Sequence, residues 1–409
     1  MESAKPDGPY PLGRCVSDLN APVPVAGADE FKALELGALK IWPPVVLAPM
    51  AGVTNLPFRA MCRDYGAGLF LSEMITARGF LLGNRLSVLL ASSDPSESPR
   101  SVQVYGSDPK DLGEMVRALV AEGVDHLDIN FGCPVPKVTR SGNGSAIPVK
   151  PRLMARLLSS MVRNAGDVPI TVKMRMGIDD DLITYLEAGR VAQEEGVSAV
   201  GLHGRTASQL YSGEADWNCI GELKASLDIP VLGNGDIWES WDALRMMRET
   251  GCDGVIVGRG CLGRPWLFRE LAQVFDGQLP EDPPGLAEIV NVMEDHARRL
   301  CEFFGEVMGM RQMRKWVSWY TKGFTGSASL RAGLRDLNRL DQIRPLFDGV
   351  DLSEAFPRRA LRIGRAKGSK KQKVKLPEGF LNDLQDDTPP RGPHTLAEIE
   401  EWERSLQGG

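Results

Sequence analysis

Val124-Asp-His-Leu-Asp-Ile-Asn-Phe-Gly-Cys-Pro134 reads as a short buried strand running straight into a tight turn. Val124, Leu127 and Ile129 suit a strand, whereas Asn130, Gly132 and Pro134 are turn formers. A lone thiol, Cys133, is thereby held at the carboxyl end of a strand, where a parallel barrel keeps its chemistry.

Outward from this stretch, eight runs share its character: 44–48, 68–72, 101–105, 126–130, 169–173, 199–203, 230–233 and 254–257. They are apolar without strict alternation, which suits strands buried on both faces, and amphipathic segments of helical length separate them. Eight strand-helix units predict an α/β fold, a closed (β/α)₈ TIM barrel over 36–278 rather than an open doubly wound sheet. Pro280, Pro283 and Pro284 then mark a boundary, and helical periodicity over 286–308, 310–323 and 327–349 predicts a smaller, separate helical domain at 285–350. Residues 1–35 are expected to form a poorly ordered extension. Residues 351–409 are expected to form a basic then acidic tail, largely disordered, with a short amphipathic helix at 395–406.

With 43% hydrophobic and 25% charged residues in 409, the chain has ordinary globular composition. Its cysteines, at 15, 62, 133, 219, 252, 261 and 301, form no C-x-x-C pair and no even ladder. This pattern argues against a disulfide framework or a metal site and suits a reducing cytoplasm. Residues 1–30 lack the basic start and apolar core of a secretory signal, and no apolar run approaches the roughly 20 residues that span a bilayer. A soluble, cytoplasmic monomer without membrane or metal is expected. The net charge of −6 is unevenly placed: residues 311–375 hold 17 Lys/Arg against 5 Asp/Glu, a local +12 that leaves −18 elsewhere. A basic binding surface beside an acidic body follows.

Polar residues gather at the carboxyl ends of all eight predicted strands: 49–52, Ser72 with Glu73, Gln103, Asn130 with Cys133, Lys173 with Arg175, His203 with Arg205, 234–236, and Gly258 with Arg259. Together they describe one polar mouth. Strand alternation directs Lys173 and Arg175 to the same side. The glycine-rich loops after strands seven and eight, with Arg259, suit a phosphate monoester. Gly258-x-Gly260-x-x-Gly263 also satisfies the dinucleotide fingerprint, but the acidic strand end about 20 residues further on is replaced by a Pro-containing linker, so the match is coincidental. As a nucleophile Cys133 would want an adjacent base, and the nearest histidine, His126, falls at the start of its strand. As a metal ligand it lacks clustered partners. A neutral thiol can instead act as a general acid, which fits a reductase that protonates carbon.

At this point the chain resembles the flavin-dependent tRNA-dihydrouridine synthases, most closely the bacterial B-type branch. The resemblance rests on Leu47-Ala-Pro-Met-Ala-Gly-Val-Thr-Asn-Leu-Pro-Phe-Arg59, Ser72-Glu-Met74, Gln103-Val-Tyr-Gly-Ser-Asp-Pro109, Asp128-Ile-Asn-Phe-Gly-Cys-Pro134, Val172-Lys-Met-Arg175, His203-Gly-Arg-Thr206, Gly233-Asn-Gly-Asp236 and Ile256-Val-Gly-Arg259, and it covers residues 40–350. It implies an FMN-bound barrel, reduced by NADPH or NADH, that delivers hydride to C6 of a tRNA uridine while Cys133 protonates C5. Pro49, Met50, Ala51, Gln103, Lys173, His203, Asn234, Gly235, Asp236, Gly258 and Arg259 would hold FMN. Asn130 would bind the flipped uracil, and Lys137, Arg175, Arg205, Arg311, Arg314, Lys315 and Lys322 would meet the tRNA. The segment 139–146 departs from the branch's small-residue pattern at Asn143. Two rivals remain: an FMN barrel acting on a free pyrimidine, which has no use for the basic helical appendage, and a tRNA-binding folding helper, which has no use for the thiol.

Overall fold

The computed structural model describes residue 20 and residues 23–365, 370–390 and 395–407. Eight parallel strands form its centre: β1 (Val45–Leu47), β2 (Leu69–Phe70 continuing in Met74–Thr76), β3 (Ser101–Tyr105), β4 (His126–Phe131), β5 (Ile170–Arg175), β6 (Ala199–His203), β7 (Val231–Asn234) and β8 (Gly254–Val257). Each pairs with its sequence neighbour, and β8 returns to pair with β1 through Val255↔Val45 and Val257↔Leu47. β2 completes the ring in two halves. Leu69–Phe70 pairs with β1 and Met74–Thr76 with β3, while between them the N–H groups of Leu71 and Ser72 reach Leu47 O and Ser101 O at 3.3 Å. The predicted TIM barrel is therefore present and closed.

Burial on both faces follows from the two-residue period of the strands. On β1, Val45 and Leu47 face the surrounding helices, while Val46 faces inward to meet Leu69, Leu71, Leu232 and Ile256. The amino-terminal end is closed by an antiparallel hairpin, Leu34–Leu36 with Leu39–Ile41, whose turn places Gly37 at φ +56°. Leu34, Leu36 and Ile41 plug the barrel floor. Ala26 N–H bonds Val274 O, and Glu30 pairs with Arg248 at 2.6 Å. Poor order is thus the wrong expectation for 23–35, because this segment has apolar and ionic partners on the barrel. The expectation for 1–19, 21 and 22 lies outside the described residues.

The carboxyl-terminal helices Leu286–Phe304 and Glu306–Tyr320 form an antiparallel pair that turns at Gly305, φ +82°. The third expected helix breaks up into Ser327–Gly333 and the 3₁₀ turns Leu334–Asp336, Leu340–Gln342 and Pro345–Phe347, as Gly333 and Pro345 interrupt it. This region is not a separate body. The ring of buried Trp316 packs tilted 4.4 Å from Phe58 of the first barrel helix and edge-on 4.5 Å from His296, so one continuous core spans both parts.

The tail, expected to be disordered, is tied down wherever it is described. Arg362 bonds Glu239 and Asp242 at 2.9 Å, and residues 370–390 run along the carboxyl-terminal rim of the barrel. A helix does follow at Leu396–Gln407. Among the described residues no helix is long and apolar enough to cross a membrane, and no cluster of His, Cys, Asp and Glu is arranged to hold a metal.

Candidate active site at the barrel mouth

Cys133 sits in a turn whose shape is imposed by its neighbours. Asn130 Oδ1 accepts the N–H groups of Gly132 (3.1 Å) and Cys133 (2.9 Å), folding the chain back over the end of β4. Arg175 Nε donates to Gly132 O at 3.0 Å, and Ser145 N–H to Cys133 O at 3.1 Å. Gly144, at φ +59°, passes so close beneath that a Cβ there would lie 2.6 Å from Cys133 O. The thiol is left half-buried at the mouth. Burial pushes its pKa up, against the opposing pull of Val135 N–H and Arg175, so it is neutral at pH 7. Asn143, the departure in this loop, turns inward and bonds Ser141 through its amide.

Beneath Asn130 a chain of polar side chains crosses the barrel axis. Asn130 Nδ2 donates to Gln103 Oε1 (2.9 Å), Gln103 Nε2 to Asp128 Oδ2 (2.7 Å), and Thr171 Oγ1 to Asp128 Oδ1 (2.5 Å). His126 then joins Thr171 (3.0 Å) to Ser101 (2.6 Å). Burial raises Asp128 to about 6 and lowers His126 to about 3, so the histidine is neutral, and its two ring nitrogens are taken by Ser101 and Thr171 and not by Cys133. The sequence places His126 at the start of its strand, which is correct, but gives no sign of the partners that the barrel brings to it.

Alternation on β5 holds as predicted. Val172 and Met174 face the helices, and Thr171, Lys173 and Arg175 face the axis. Lys173 Nζ donates to Asn234 Oδ1 at 2.9 Å, and Asn234 Nδ2 to Ile256 O at 2.7 Å, linking β5, β7 and β8. Burial, then Arg175, lowers Lys173 to about 8 against the pull of Asp128. His203 is held well below its usual value by burial and by Arg175, Lys173, Arg205 and Arg259, and is neutral.

After β7 and β8 the loops adjoin. A Cβ on Gly258 would find Met50 Sδ at 3.9 Å, so the loop 49–52 forms the next wall. Arg259 lies over the rings of Tyr211 (4.3 Å) and Trp238 (5.2 Å). The main-chain N–H groups of Asp236 and Arg259 donate to nothing among the described residues. Asp236 instead directs its carboxylate to Arg205 (2.7 Å) and to Ala215 N–H (2.7 Å).

The wall formed by residues 50–52 carries a connection that the sequence does not show. Gly52 N–H donates to the Glu73 carboxylate, and Lys315, from the helical region, donates to Gly52 O. Glu73 is 3% exposed, and burial raises it to about 7 despite Gly52, Lys315 and Arg59. The advance signal was its place beside Ser72 among the polar residues at the strand ends.

Several expected substrate contacts are engaged within the protein. Arg205 is 1% exposed and bound to Asp236, Ser212 O and Gly213 O, so it braces a loop and does not reach outward. Arg175 is bonded to Gly132 O, Thr206 O and Leu210 O and holds the Cys133 turn. Arg314 bonds Leu337 O and Asn338, and Lys315 holds Gly52. Lys137 donates to Glu401 O at 3.2 Å. Arg311 is exposed and Lys322 half-buried, with no acidic partner for either among the described residues; Arg331 and Arg335 of the same helical region are also exposed.

The family profile "Dihydrouridine synthase (Dus)" matches residues 46–357. The chain belongs to the dihydrouridine synthase family. It is similar to a probable tRNA-dihydrouridine synthase of Mycobacterium tuberculosis, with 46% identity over 371 residues, covering 88% of this chain and 95% of the relative. A Mycobacterium leprae protein of the same description shares 44% over 377 residues, 85% of this chain and 98% of the relative. The tRNA-dihydrouridine synthase B of Xanthomonas campestris shares 41% over 299 residues, 73% and 90%. The resemblance to the bacterial B-type branch read from the motifs therefore holds, and each motif that carried it lies in a barrel strand or in the loop or first helical turn that follows one.

Proposed function

We propose that this chain is an FMN-dependent tRNA-dihydrouridine synthase that reduces the C5=C6 bond of specific tRNA uridines with NAD(P)H, acting as a cytoplasmic monomer. The observation that carries this reading is the turn at Asn130–Cys133, which holds a neutral thiol at the mouth, beside Arg175 and within the same ring of strand ends as Lys173. The residues present suit the cofactor. Free N–H groups at Asp236 and Arg259, with the Arg259 guanidinium, fit a phosphate monoester, and Pro49, Met50 and Ala51, beside Gly258, would border the ring. Bound there and reduced by NAD(P)H, FMN would supply the hydride that reaches C6 of the uracil.

The protein's own part is to orient and protonate. Uracil must leave its stack to enter the mouth, where Asn130, its Oδ1 fixed by the turn and one amide N–H given to Gln103, would meet the base with the other N–H, now 3.5 Å from Met74 Sδ. Lys173, cationic below about pH 8, would polarise the isoalloxazine, and Cys133 Sγ gives its proton to C5. Asp236 serves through its main chain, since its carboxylate is held by Arg205. Arg311 and Lys322, with Arg331 and Arg335, form the basic face that meets tRNA phosphates.

Mass spectrometry of tRNA from cells lacking the protein, complemented with wild type or Cys133→Ala, tests the reading. Dihydrouridine should vanish at one or more sites and return only with wild type. Unchanged dihydrouridine in the deletion strain removes the function, and equal rescue by both forms removes Cys133 as the acid. A purified protein that stays colourless with added FMN removes the cofactor.

A further inference from the structure

Residues 370–390 lie beyond the family match, yet they are fastened to the one loop that carries Cys133. The segment begins on the loop after β6, where Gln372 N–H donates to Ser208 O at 2.9 Å. Val374 and Phe380 then bury themselves against Ala146 and Val149 of the Cys133 loop, and against Ile178 and Ala207. Gly142 is pressed so tightly that a Cβ there would lie 2.5 Å from Pro390 and 3.3 Å from the Phe380 ring.

An ionic fastener accompanies the apolar one. Lys150, 3% exposed, donates to Asp386 (2.9 Å) and Asp383 O (3.0 Å) and sits 4.7 Å from the centre of the Phe380 ring. Arg156 reaches Asp387 at 3.1 Å. Lys150 precedes the helix Pro151–Ala165, and a cation at a helix amino terminus is unfavourable unless an anion accompanies it. The tail supplies that anion, so the loop's own sequence is matched to the segment that covers it.

We propose that residues 370–390 are a positioning clamp for the Cys133 thiol. The path is short: Ala146 packs on the clamp, and its neighbour Ser145 donates its N–H to Cys133 O. Phe380 and Asp386 are positioning residues, acting through residues 142–150 without touching the base. The assignment rests on the role given to Cys133 above, so the test includes a readout independent of catalysis.

In the full-length protein, Phe380→Ala combined with Asp386→Asn is compared with wild type and with Phe380→Leu. Iodoacetamide labelling followed by mass spectrometry reports Cys133, with half-buried Cys301 in the helical region as internal reference. Loosening the clamp should speed Cys133 labelling by about tenfold with Cys301 unchanged. The kcat for tRNA should fall by about tenfold or more while KM stays within about twofold, and Phe380→Leu should restore most of it. Unchanged Cys133 labelling in the double variant overturns the proposal. So does a rise in KM with kcat unchanged, which would make the segment a tRNA contact, or a parallel rise at Cys301, which would make it a general stabiliser. If wild type lacks activity altogether while Cys133 labelling responds as stated, the clamp stands and the proposed function falls.

Discussion

Glu73 offers a stability measurement whose sign is fixed by its position. Its carboxyl is buried against Gly52 N–H and held at about 7 instead of 4.5, a difference worth about 3 kcal/mol between its protonation states. Between those two values the folded protein keeps a proton that the unfolded chain has released, so stability is full below about 4.5 and declines as pH rises toward 7. Glu73→Gln keeps an oxygen for Gly52 and removes the titration. Relative to wild type the variant should therefore gain about 3 kcal/mol at pH 8 and less than about 1 kcal/mol at pH 5. Urea unfolding of both proteins at several pH values in this range reads the gap directly. Asp128 and Glu270, raised to about 6 and about 7 by burial, titrate in both proteins and cancel in the difference. A gap that stays the same from pH 5 to pH 8 would refute the argument, because it would mean that Glu73 is already charged throughout.

Two further outcomes follow, one at the mouth and one in the helical region. Gly144→Ala places a Cβ 2.6 Å from Cys133 O at a left-handed φ, and should cost about 2 kcal/mol or more of stability in thermal unfolding while lowering kcat. Arg311→Glu, on the exposed basic face, should raise KM for tRNA with kcat retained and flatten the slope of log affinity against log salt by about one or more; an unchanged slope would take Arg311 out of the interface.

What the sequence displayed was mainly local. Asn130-Phe-Gly-Cys-Pro134 announces a strand and its turn because the residues that shape it are contiguous. The eight strands were legible for the same reason, each being a short apolar run. The floor hairpin at 34–41 was not, since Leu-Glu-Leu and Leu-Lys-Ile are too brief to stand out and gain meaning only from the barrel end they fill. Arg205 shows the other failure. A strand-end arginine reads as a substrate ligand until the fold brings Asp236 from 31 positions away. Glu73 and Lys315, which meet through Gly52, and Lys150 with Asp386 are likewise brought together by tertiary structure from positions that give no sign of one another in sequence. The tail was misjudged because its composition is polar, whereas its anchorage needs only Val374, Phe380 and a few carboxylates set against a matching loop.

The floor hairpin also makes the barrel a cup and not a pipe. Leu34, Leu36 and Ile41 cover its base, and the interior above them leaves a cavity of only about 10 Å³, bordered by His126, Asp128 and Thr171. In the polar chain from Ser101 to Asn130 the side chains of Ser101, His126, Thr171, Asp128 and Gln103 are buried, and Asn130, at the upper end, is the partly exposed member. An occupant of the mouth would therefore cap that end, and its charge and the water it displaces would move the values at which Asp128 and Lys173 titrate.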